Sequence, residues 1–130
     1  EAQLIFSTLH TTSASSTVSR IVDAFPTSQQ RQVRIQLSIV LQAVVCQQLV
    51  PSTDGGVVPA YEIMMANTAT RNLIRAQKDY QLDSVIASGA NEGMRTMDQD
   101  LLRLVREGTV DKDTALRFAA HPESLAAHFA

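Results

Sequence analysis

The chain opens on an apolar run, "LIFSTL", whose length and lack of helical spacing predict a buried strand over Leu4–Leu9. Three polar residues follow, His10, Thr11 and Thr12. Polar groups at the carboxyl end of a buried strand are where open α/β sheets place their ligands. Val18, Ile21 and Val22 then recur at one-turn spacing, predicting a helix capped by Ser15 or Ser16. It stops near Phe25-Pro26, because a residue before proline avoids helical backbone. Thr27 and Gln30 fit a capping box for a second helix over Ser28 to Ala43, with Val33, Leu37, Val40, Leu41 and Val44 as its apolar stripe.

The period then changes. "VVCQQLV" and "VVPAYEIMM" read as strands, and the Asp54-Gly55 turn between them makes a hairpin. Pro59 cannot donate to a ladder and is expected at an edge or a bulge. The rest is helical. Asn67 or Thr68 caps "ATRNLIRAQK", Gly89 stops "QLDSVIASG", and Thr96 with Gln99 forms a second capping box ahead of Met97, Leu101, Leu104 and Val105. Gly108 ends that helix, and "DKDTALRFAA" and "PESLAAHFA" make two short final ones, with Pro122 at a first helical position. The expected fold is α/β: strand, two helices and hairpin over residues 1–66, then a bundle of short helices over 67–130. A lone first strand needs partners, and the chain starts at Glu1 rather than Met, so a piece of a larger fold is expected.

Composition narrows the function. The chain has 130 residues, 45% apolar and 18% charged, with net charge −2. That suits one globular domain and gives no global field toward nucleic acid or anionic membrane. There is no Trp, and four Phe with two Tyr do not make a base-stacking platform. No run approaches the ~18–20 apolar residues of a membrane span. The single cysteine, Cys46, lies among apolar neighbours and is expected to be a buried, inert thiol in a reducing compartment.

Several chemistries fail on pattern. There is no G-x-S-x-G elbow. His10, His121, His128 and Cys46 are scattered, without C-x-x-C or H-x-x-x-H spacing, so no metal site is expected. No glycine is followed by Lys, so these 130 residues hold no G-x-x-x-x-G-K-[ST] phosphate loop. Two features keep their interest. His10 at a strand end, with the Thr11 and Thr12 hydroxyls beside it, could bond a phosphate or an attacking water, or serve as an ordinary surface group. On a helix at 100° per residue, Arg71, Arg75 and Lys78 share one face, opposite Ala69, Leu73 and Ala76. That basic face is either solvated or docks an acidic partner. Arg31 and Arg34, early in the second helix, also hint at an anion nearby, since the helix dipole disfavours cations there.

The motifs carry a resemblance. "LIFSTLHTTSASSTVSRIVDAFP" resembles the His-box region of the secretion-type ATPases that drive type IV pili and type II secretion, and "QVRIQLSIVLQAVVCQQLVP" continues it. "ATRNLIRAQ" is similar to the A-I-R-N-L-I-R-E motif of the pilus-retraction, or twitching motility, ATPases of the PilT family, and "SGANEGMRTMDQDL" to that family's G-M-Q-T-L-D-Q stretch. Related assembly and secretion ATPases carry a four-cysteine zinc insertion after the strand matching "VCQQLVP". Here the chain goes directly into "STDGGVVPAYEIM", which favours the retraction branch.

The resemblance implies a hexameric, cytoplasmic P-loop ATPase, peripheral at the inner-membrane base of the pilus machine. Its RecA-like domain would couple ATP hydrolysis, with Mg²⁺, to pilus retraction through an inner-membrane platform protein. Residues 1–66 would be the C-terminal half of that core and 67–130 its helical tail. The Walker A, acidic-box and Walker B segments would lie upstream, leaving this stretch inactive alone and without bound nucleotide. His10 matches the His-box histidine, implied to sense the γ-phosphate, with Thr11 and Thr12 nucleotide-associated. Arg71, Asn72, Leu73, Ile74 and Arg75 match the motif implied to be needed for retraction. Thr70 stands where the family has Ile, Ala76 where it has Glu, and Arg95 where it has Gln. The alternatives are an assembly or type II secretion ATPase of the same superfamily, or a non-catalytic partner-binding module.

Overall fold

A computed structural model describes residues 3–130. Glu1, where the expected core half begins, lies outside the described residues. From the amino end, α1 (Ala14–Asp23) and α2 (Thr27–Val40) lead into a hairpin of β1 (Ala43–Pro51) and β2 (Val57–Met65). Five helices follow: α3 (Thr68–Arg75), α4 (Leu82–Ala87), α5 (Met97–Arg106), α6 (Lys112–Phe118) and α7 (Pro122–Ala126). Short 3₁₀ turns at Asp79–Gln81, Ala90–Glu92 and Ala127–Phe129 join or end them.

The hairpin organises everything else. Its strands pair antiparallel from Ala43↔Met65 to Pro51↔Val57, and the side-chain period of two gives it an inner and an outer face. Pro59 sits opposite Leu49 in this two-stranded sheet, where each strand is an edge and a missing N–H is tolerated. The inner face roofs two adjoining cores. Val44, Cys46 and Met64 pack with Ala14, Val18, Ile74, Leu82, Ile86 and Met94. Val50 and Ala60 pack with residues of α5, α6 and α7, among them Leu101, Leu104, Ala115 and Leu125. The outer face leaves Val45, Leu49 and Val57 about 60% exposed. Cys46 is buried as expected, and burial pushes its thiol up, away from the reactive thiolate.

Local signals place the later helices well. Asn67 caps α3 in a reciprocal box with Thr70, and Thr96 caps α5 in the same way with Gln99. Gly93, at φ 82°, and Gly108, at φ 78°, take left-handed backbone that other residues adopt at a cost. Pro122 opens α7. The hairpin turn docks on the end of α5: the Thr53 amide donates to Thr109 O at 2.9 Å, and its hydroxyl to Gly108 O at 3.0 Å.

Four expectations need correction near the amino end. Residues 3–9 form no strand and are exposed; Leu4 is 71% and Phe6 89% exposed. A strand needs a ladder, and the sheet contains β1 and β2 alone among the described residues. Helix α1 is capped by Ser13, whose Oγ accepts from the Ser16 amide at 3.1 Å, rather than by Ser15 or Ser16. Helix α2 starts one residue early, so Thr27 is already inside it. Pro26 takes the cap position without a side-chain bond, and Gln30 donates to Phe25 O instead of closing a box. The same helix ends at Val40, three residues before the expected Ala43, because Leu41 turns extended toward β1.

Candidate functional site

The segment before α1 contains His10, Thr11 and Thr12. His10 is exposed, and among the described residues its ring makes no hydrogen bond, while its carbonyl accepts from Arg20 Nη1 at 3.4 Å. Thr11 is committed to structure: its hydroxyl meets Thr17 Oγ1 at 2.6 Å, and Thr17 donates to Ser13 O at 2.8 Å. Since Thr17 spends its hydrogen on Ser13, Thr11 is the donor to Thr17. Thr12 is exposed. This geometry ties the His10 segment to α1 and leaves the imidazole available.

On α3 the arginines part company. Arg71 is half-buried, and its Nη1 donates to Ser38 O at 2.9 Å and Ile39 O at 2.8 Å. These are carbonyls of the last turn of α2, which have no intrahelical partner, so Arg71 closes that helix. Arg75 is exposed and reaches only Asn72 Oδ1, at 3.4 Å; Asn72 and Lys78 are exposed too. Ile74 is fully buried and Leu73 packs half-buried beside it. The buried face of α3 is therefore Thr70, Leu73 and Ile74, whereas Ala69 and Ala76 are exposed. Ala76 and Lys78 lie past the end of α3 at Arg75, so the expected pair of faces is only partly carried on the helix.

The sequence reading missed the group that joins α1, α2 and α3. Arg34 is buried and grips Asp79 with both nitrogens at 2.8 Å, and its Nη1 also donates to Ile74 O at 3.0 Å. Ser19 of α1 donates to the same carboxylate at 3.0 Å. The bond to Asp79 raises the Arg34 guanidinium above its ordinary value despite burial. The anion that Arg34 hinted at is thus in the same chain. Arg31 remains exposed.

The departures from the family motifs have local explanations. Thr70 supplies the hydroxyl of the α3 capping box, which Ile could not. Arg95 pairs with buried Asp100 at 2.6 Å. Ala76 is simply the exposed residue that ends α3. Asp100 also accepts from Arg103 at 2.8 Å and from the Tyr61 amide at 2.8 Å. Burial alone would push its carboxyl up, but these bonds and the Arg103 charge hold it below the usual range.

No protein-family model matches the chain. Among solved structures it is similar to the pilus retraction motor PilT with bound ADP, at a TM-score of 0.80 and 42% identity, covering 92% of this chain and 33% of that one. The fold matches the corresponding part of that ATPase's structure, mixed helix and strand with a small sheet. Within that class, the sequence is similar to members of the PilT family. It is 49% identical over 123 residues to a twitching motility protein of Neisseria gonorrhoeae, covering 94% of this chain and 33% of that protein. It is 45% identical over 122 residues to the type IV pilus retraction ATPase PilT of Pseudomonas aeruginosa, covering 94% of this chain and 36% of that protein. The chain spans about a third of the length of the curated relatives it matches. Among the described residues, no helix is long and apolar enough to cross a membrane.

Proposed function

We propose that this chain is the C-terminal part of the RecA-like domain, with its helical tail, of a hexameric ATPase that drives type IV pilus retraction. The observation that carries the reading is the 49% identity, over 94% of the chain, to a twitching motility protein. Residues 1–66 belong in this reading to the ATPase core and 67–130 to the tail. ATP is the substrate, its phosphates held by a loop elsewhere in the longer protein, and Mg²⁺ arrives with them. The bound ADP named for the similar motor supports a nucleotide ligand. The inner-membrane platform protein is the partner, and the cytoplasmic base of the pilus is the location.

In this reading the chain contributes a sensor and a docking face. His10 has a ring unused by the surrounding structure and a backbone tied to α1, so it can report on a γ-phosphate without being free to wander. Thr11 orients the segment through Thr17, and Thr12 faces solvent beside it. On α3, Leu73 and Ile74 anchor the helix and Arg71 locks it to α2. Asn72 and Arg75 are the members of the motif left to meet a partner. The second reading, an assembly or secretion ATPase, is not favoured, because one relative is named a pilus retraction ATPase and the other a twitching motility protein.

The test is a pair of substitutions in the full-length protein. His10→Ala should lower ATP turnover about a hundredfold, as loss of a charge-stabilising group does, with nucleotide affinity within a few-fold of wild type. Arg75→Ala should spare turnover and stop twitching. Unchanged turnover in the first variant removes His10 from the mechanism, and retained twitching in the second removes Arg75 from the docking face.

A further inference from the structure

Glu62 is a buried carboxylate that the proposed mechanism does not use. It stands on the inner face of β2, 4% exposed, opposite Cys46 and between the two cores. Its two oxygens go to two different helix starts. Oε2 accepts from the Ala14 amide at 2.6 Å, and Oε1 accepts from the Met97 amide at 3.0 Å. Ala14 and Met97 are the first residues of α1 and α5, whose amides have no intrahelical acceptor. The positive ends of two helices thus converge on one carboxylate, which suits its charge. Burial pushes the carboxyl up, while the two amides pull it down.

The two helix starts are not held equally. Helix α5 has further ties beside Glu62. Ile63 and Arg95 exchange backbone bonds of 2.9 and 3.1 Å, and Thr96 with Gln99 closes the capping box. At the first turn of α1, where Ala14 and Val18 pack against the hairpin, the other side-chain hydrogen bond to it among the described residues is the long one between Thr17 Oγ1 and Cys46 Sγ, at 3.7 Å. The His10 segment hangs from the same turn through Thr11, and from the last turn of α1 through Arg20. If Glu62 lets go, α5 keeps its other ties and the start of α1 loses its short hydrogen bond to the hairpin, while Ser19 still holds the later part of the helix to Asp79.

We infer that Glu62 is a positioning residue that holds the start of α1, and through it His10, at a fixed place relative to the hairpin and α5. The inference rests on the reading of His10 as the nucleotide sensor. Glu62 touches no nucleotide; it acts through the helix start. A shift of about 1 Å in a group that stabilises a transition state can cost about a hundredfold in rate. A loosened sensor therefore lowers kcat more than it raises KM.

The experiment is a mutant cycle in the full-length ATPase: wild type, Glu62→Gln, His10→Ala and the double variant, with kcat and KM for MgATP. Glutamine keeps the shape but turns an amide NH₂ toward one of the two helix amides. The expected result is a loss in kcat of about tenfold or more for Glu62→Gln, KM within about twofold, and a double variant no slower than His10→Ala alone. Hydrogen exchange should rise at Ala14 and stay low at Met97. A Glu62→Gln enzyme as fast as wild type overturns the inference, and so does an equal loss with and without His10. A normal turnover for His10→Ala sinks the sensor reading itself and the inference with it. If Glu62→Gln does not fold, Glu62→Asp, which keeps the charge on a shorter arm, takes its place in the cycle. Failure of both to fold makes Glu62 a stability residue and overturns the proposal.

Discussion

The two faces of the hairpin differ more than their sequences do. On the inner side Val44, Cys46, Val50, Ala60 and Met64 are buried under the helices, and the buried carboxylates there have partners: Glu62 two helix amides, Asp100 two arginines and an amide. On the outer side Val45, Leu49 and Val57 face outward, and residues 3–9 leave Leu4, Ile5 and Phe6 similarly exposed. Both faces are apolar. Closure on one side comes from polar side chains that tie distant segments together, and greasiness alone does not produce it.

The difference can be broken from its strongest point downward. Asp79→Ala should have the largest effect, about 3–5 kcal/mol of stability, because it strands the buried Arg34 guanidinium and releases α1, α2 and α3 from one another. Chemical denaturation measures it, and a loss below about 1 kcal/mol would mean that packing and the Arg71 bonds to α2 hold α3 without the Arg34–Asp79 pair.

Asp100→Asn comes next, at about 1–3 kcal/mol near neutral pH. Its effect depends on pH in a defined direction. The folded carboxyl sits below its unfolded value, so its contribution is complete above the ordinary carboxylate range and disappears as pH falls through the folded value. The variant should lose the acid limb of the stability curve that wild type shows. Glu62 works the opposite way. Its raised carboxyl makes stability fall as pH climbs from about 4.3, the unperturbed glutamate value, through the folded one. Curves with parallel acid limbs would contradict the assignment to Asp100.

The smallest effect is expected on the open side. Leu49→Thr keeps strand propensity and changes an exposed side chain, so this chain should shift by no more than about 0.5 kcal/mol. The same substitution in the full-length protein sharpens the comparison. A loss of 1 kcal/mol or more there, with none here, would show that the outer face is covered in the longer protein.

How far the sequence revealed this depends on the range of the interaction. The capping box at Thr96, the stop at Gly108, Pro122 at the start of α7 and the turn at Asp54-Gly55 are short-range signals, and each lies where the pattern put it. The strand over Leu4–Leu9 was inferred from apolar content, which specifies burial only when another surface supplies it. Pattern puts Arg71 on a basic face that is either solvated or docks an acidic partner, because its actual partners, two backbone carbonyls of α2, have no side-chain signature. Asp79 lies 45 residues from Arg34, and Glu62 lies 48 from Ala14. No local pattern links such pairs. The His-box and retraction motifs came from resemblance; pattern alone left His10 open and gave Arg71 and Arg75 the same weight.

The docked hairpin turn bears on where this fold can grow. A two-stranded hairpin tip is ordinarily the cheapest place for extra residues, since a longer loop costs little in closure entropy. Here Thr53 holds the end of α5 by its amide and its hydroxyl, so the turn doubles as the stop for a helix in the other half of the chain. Any lengthening after Pro51 must either keep Thr53 in register or provide new partners for the carbonyls of Gly108 and Thr109. Insertions at this point become a concerted change in two places, and the short turn is held in length by a segment more than fifty positions downstream.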